Sequence, residues 1–134
     1  MDWISKREHC KTHQVKRISK KIADMPSGSL MLIANTKILD EYIKDIPKGD
    51  FISTKKIRID LAKQFGCDVT CPLTTGIFIR IISEAAYQEY KNGNTLSSIT
   101  PFWRVVNKNS NLAHKLACGV SFIVERQKYE KINY

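Results

Sequence analysis

The run Thr100-Pro101-Phe102-Trp103-Arg104-Val105-Val106 constrains this chain more than any other. Pro101 restricts the backbone where the run begins, two adjacent large aromatics demand burial, and Arg104 carries a planar fork able to anchor the unit. The pattern reads as a short turn feeding a buried strand. With the polar turn from Asn107 to Asn111 and Leu112 beyond it, the run predicts a small two-stranded wing. Phe102 and Trp103 either fill the core or, with Pro101 and Arg104, wall a pocket.

The upstream pattern is helical. Thr36 predicts an N-cap before a helix with Ile38, Leu39, Tyr42, Ile43 and Ile46 on one face. Pro47-Lys48-Gly49-Asp50 ends that helix, Ser53 caps a second in which Ile57, Leu61 and Phe65 recur every fourth residue, and Gly66 closes it. Its outward side carries Lys55, Lys56, Arg58 and Lys63, a basic face suited to a DNA backbone. Pro72 opens a third helix running to about Lys91. Its period assigns Phe78, Ile81, Ile82, Ala85 and Ala86 to the core. Gly76, Arg80, Ser83 and Tyr87 fall opposite, on the side that a helix-turn-helix offers to a groove. A last helix begins at Gly119.

Residues 1–29 read as a basic arm and residues 30–134 as one domain. Val15, Ile18 and Ile22 predict a short basic amphipathic helix between Trp3 and Ala23, broken at Met25-Pro26-Ser27-Gly28-Ser29. Leu30-Met31-Leu32-Ile33-Ala34 is a strand or a segment tucked over the core. Of the formal net charge of +9, more than half sits in residues 1–21, where seven cationic residues face only Asp2 and Glu8. That excess favours an anionic partner, double-stranded DNA first, and the arm itself reads either as a grip on phosphates or as a solvated, partly disordered tail or helix.

No run of about 18 apolar residues exists, and the first residues lack the apolar core of a signal peptide. The expectation is a monomer in the cytoplasm, nucleoid-associated if bacterial, with no membrane partner. Cys10, Cys67, Cys71 and Cys118 read as reduced thiols. Cys10 with His13 and Cys67 with Cys71 could supply four zinc ligands, but the spacing is loose, and no metal or cofactor is expected.

Two motifs in order carry a resemblance. Pro101-Phe102-Trp103-Arg104-Val105-Val106 resembles the Pro-Cys-His-Arg-Val-Val of the methylated-DNA cysteine alkyltransferase superfamily. Ile46-Pro47-Lys48-Gly49-Asp50-Phe51-Ile52-Ser53 looks like that family's lead-in to its helix-turn-helix. The resemblance covers roughly residues 39–130. It implies a mainly α domain with a small β wing, a winged helix-turn-helix like the alkyltransferase C-terminal domain.

It also implies a DNA interface at Thr54, Lys55, Lys56, Arg58, Thr75, Gly76, Arg80 and Ser83, a pocket at Pro101, Phe102, Trp103 and Arg104, and a tie to a repair-protein partner. The departures fall on the chemistry. The family's alkyl acceptor is a thiolate assisted by a His, and neither a phenyl ring nor an indole can take that role. Phe102 holds the Cys place and Trp103 the His place. Alkyltransferase-like proteins, which bind alkylated DNA without repairing it, put Trp for the Cys but usually keep the His.

Gly76 holds the place of the Arg that enters the duplex in place of the flipped base, and Thr54 that of a Tyr crowding a phosphate. Arg80, one turn on, is a substitute only if it escapes Glu84, four residues further. The expected function is therefore DNA binding without catalysis. The alternatives are a divergent methyltransferase using a displaced thiol, Cys71 beside Pro72 or Cys118, and a protein-interaction module that retained the fold.

Overall fold

The computed structural model of the chain describes residues 2–134. Helices dominate a mixed α/β arrangement with one small three-stranded sheet. The organising element is the longest helix, α4 (Pro72–Lys91), against which α1 (Trp3–Glu8), α2 (Thr36–Lys44), α3 (Thr54–Gln64) and the turn Phe102–Arg104 all pack. Ile79, Ile82, Ala85 and Ala86 of α4 are fully buried. Each such isoleucine stabilises the fold by roughly 1.5–3 kcal/mol relative to exposure.

Local chemistry sets the helix starts. Ser53 Oγ accepts from the Lys56 N–H (3.2 Å), capping α3 as its sequence predicts, and Pro72 stands at the first position of α4. At α2 the cap is Asn35, one residue before the expected Thr36. Asn35 Oδ1 accepts from the Ile38 N–H (2.8 Å), and Thr36 is buried, donating to the Arg7 carbonyl (2.9 Å) and so tying α1 to α2.

The sheet has the order β1 (Gln14–Arg17), β2 (Leu30–Ile33), β3 (Val69–Thr70), with β1 antiparallel and β3 parallel to β2. The helix expected between Trp3 and Ala23 is thus replaced by α1 and then a strand. All four β1 side chains are exposed, so no apolar alternation marks it, and its pairing rests on backbone bonds to β2. Ile18, just past β1, joins Met25 and Met31 in a small second cluster beside the main core.

The predicted wing is corrected as well. Residues 102–104 form a single 3₁₀ turn, and Asn111–Lys115 form a short helix, α5, capped by Ser110 Oγ (3.2 Å to the Ala113 N–H). Consecutive strand residues point to opposite faces, whereas Phe102 and Trp103 are both buried, at 0% and 1% exposure. A helical turn lets both rings enter the core, and the Val105 and Val106 N–H groups close it on the Phe102 carbonyl. The last helix, α6, spans Gly119–Glu130. Among the described residues no helix is long and apolar enough to cross a membrane.

Candidate functional site

Glu130 ends α6 with its side chain buried, and three elements converge on it. Trp103 Nε1 donates to Glu130 Oε2 (2.8 Å), and Arg104 donates twice, Nε to Oε1 and a terminal nitrogen to Oε2 (both 2.9 Å). The other Arg104 terminal nitrogen donates to the Ile46 carbonyl (2.8 Å), and the Ile52 N–H donates to the Arg104 carbonyl (2.9 Å). The Gly49 N–H completes the set, 3.4 Å from Glu130 Oε1. The two motifs, about fifty residues apart, therefore meet around one carboxylate.

That convergence explains Gly49. Its φ is +93°, which favours glycine, and a Cβ there would lie 3.3 Å from the Glu130 carbonyl oxygen, a tight contact that the neighbour must yield to. Burial alone would raise the Glu130 pKa. The hydrogen bonds from Arg104, Trp103 and Gly49 outweigh it and hold the carboxyl below its ordinary value. Gln127, one turn earlier, donates to the Trp103 and Val106 carbonyls (3.0 and 3.1 Å).

Neither Glu130 nor Gln127 was singled out from sequence as a site residue. The available signal is two long polar residues three apart on the inner stripe of an amphipathic helix, where their burial requires partners. Of the four pocket candidates, Pro101, Trp103 and Arg104 line a cleft of about 710 Å³, and Phe102 does not. Phe102 lies in the core, stacked on Phe122 (6.0 Å between centroids) and edge-on to Trp103 (5.4 Å).

The other candidates sit on α3 and α4. Thr54, Lys55 and Lys56 are exposed at the start of α3. Lys56 pairs with Asp60 (3.1 Å), while Arg58 pairs with Asp24 (2.8 Å) and donates to the Thr70 carbonyl (2.9 Å). Arg58 thus staples α3 to β3 and the chain before β2, which removes it from the free basic face; Lys55 and Lys63 have no salt bridge among the described residues.

On α4, Gly76 faces open space, with no atom within 4 Å of a built Cβ, between Leu73 (72% exposed) and Ile77 (49%). Arg80 is turned toward Glu84 (3.8 Å) and the Trp3 ring (5.4 Å). Thr75 and Ser83 are buried, their hydroxyls donating to the carbonyls of Cys71 and Ile79 (2.7 Å each). Ser83 was expected outward. The second half of α4 is covered on more sides than one amphipathic stripe allows, so residues 81–86 are all buried.

Two of the four thiols are poor nucleophiles. Burial, with Glu84 nearby, pushes Cys118 up to about 12, and burial with Asp68 raises Cys67. Both are protonated at neutral pH and weakly nucleophilic. Cys71 stands at the N-cap of α4 with no side-chain capping bond. His13 packs on Phe65 (4.7 Å), and among the described residues no three His, Cys, Asp or Glu side chains come together as metal ligands. Comparisons of the chain with protein-family models, with curated proteins and with solved structures found no match.

Proposed function

We propose that the protein is a non-catalytic, alkyltransferase-like binder of duplex DNA, built as a winged-helix relative in which the sheet of β1 to β3 stands in for the wing. The observation that carries this reading is the junction at Glu130, where the Ile46–Ser53 and Pro101–Val106 motifs are bonded to each other beside the α3–α4 pair. Two short motifs resembling one family are weak separately. Their direct contact here supports reading them as parts of one unit. Phe102 in the core supplies no acceptor for an alkyl group, and the raised thiol of Cys118, one of the two displaced candidates, is a poor replacement.

The surface offered to the duplex is the start of α3, with Thr54 and Lys55, and the first half of α4 around Gly76. Lysines there act on phosphates without reading sequence. The test places a carboxylate on that surface. Gly76→Asp meets open space and is tolerated by the helix, so the variant folds; its affinity for a labelled duplex should fall by about tenfold or more, since like charge repels phosphate. Unchanged affinity would remove α4 from the interface.

The exposed pair Leu73 and Ile77 favours a second reading, a protein-interaction surface on the same strip of α4. Nuclease treatment separates the two, because a complex held by protein contacts survives it.

A further inference from the structure

The cleft beside the Trp103–Arg104 centre holds more positive charge than that centre uses. Four cations line it, Lys44, Lys48, Arg104 and Arg126, against the single carboxylate of Glu130. Arg104 consumes that carboxylate, and Lys44 is paired with Asp40 (2.9 Å). Lys48 and Arg126 remain. Arg126 comes no closer than 3.9 Å to Glu130, and its Nε is buried without a hydrogen-bond partner.

Its guanidinium lies over both the Trp103 ring (4.8 Å) and the Tyr129 ring (4.7 Å), and Lys48 Nζ sits 4.7 Å from the Tyr129 centroid. The rings leave the guanidinium's N–H donors unsatisfied, and among the described residues it makes no hydrogen bond, which leaves its fork for two oxygens of one anion. The loop over Thr95, Ser97 and Ser98 adds hydroxyl groups to the wall. A volume of about 710 Å³ falls in the small-ligand range of roughly 300–1,000 Å³.

We infer that this cleft binds the phosphate group of a nucleotide-sized ligand, with Arg126 taking two oxygens and Lys48 closing from the rim. None of the residues that carry it belongs to α3 or α4. The site is therefore independent of the duplex surface, and its test contains no duplex.

Calorimetric titration of the full chain with inorganic phosphate, adenosine monophosphate and adenosine, at constant ionic strength, decides it. Phosphate and the monophosphate should both bind saturably and adenosine should not; tighter binding of the monophosphate assigns the ligand to nucleotides, and equal binding assigns it to phosphate itself. Lys48→Gln, at an exposed position, and Arg126→Lys, which keeps the charge and loses the fork, should each weaken phosphate about tenfold. A melting curve confirms that Lys48→Gln is folded. Absence of saturable phosphate binding, adenosine binding as well as its monophosphate, or a Lys48→Gln variant that binds phosphate like the parent would each overturn the assignment.

Discussion

At the scale of the residue, Glu130 has most to answer for. A buried carboxylate with three donors resists the loss of its charge, and truncating one partner of such a set costs about 3–5 kcal/mol. Glu130→Ala should lower the stability read from urea unfolding by that amount, and a loss of only a few tenths would contradict the buried-pair account. The sign of the pH dependence follows from the depressed pKa. The contribution is fully present above the ordinary value of 4.5 and is lost as pH falls through the lower folded-state value. Glu130→Gln should flatten that acid limb, which a parallel pH series would reveal. Gly49→Ala meets both a positive φ and a 3.3 Å contact, and should destabilise by about 1–3 kcal/mol in the same assay. Little of this centre is legible in sequence, because the partners of Arg104 come from α6 and from the turn after α2, which local spacing cannot connect.

Elements were legible where capping and period agree. Ser53, Gly66 and Pro72 mark the bounds of α3 and the start of α4, and the structure follows them. The reading fails where tertiary contact decides: β1 has four exposed side chains and exists through β2, and residues 102–104 coil to bury two neighbouring rings. The packing of α1 on α4 has the same character. The Trp3 and Ile4 N–H groups donate to Gln88 Oε1 (3.0 and 3.2 Å), and Arg7 pairs with Glu89 (2.8 Å), partners more than eighty residues away. Gln88→Ala leaves those N–H groups to solvent and should cost about 1 kcal/mol, with faster amide exchange at residues 3–8. Exchange unchanged at α1 would mean that other contacts hold it.

For the whole molecule, a net charge of +9 is the broadest statement the sequence makes, and ion pairing fixes which cations stay free without changing that excess, since each pair removes one charge of either sign. Arg7, Arg58, Arg104 and Lys56 are each matched by carboxylates. The remaining lysines still leave a field that attracts a polyanion. The central claim, a duplex reader without an alkyl acceptor, is tested most directly by titrating labelled duplex with the full chain at about 50 mM and 200 mM salt, where a few phosphate contacts change affinity by tenfold or more. The account expects a micromolar or tighter dissociation constant at the lower salt and a collapse of affinity at the higher. No binding at either, or tight binding indifferent to salt, would contradict it.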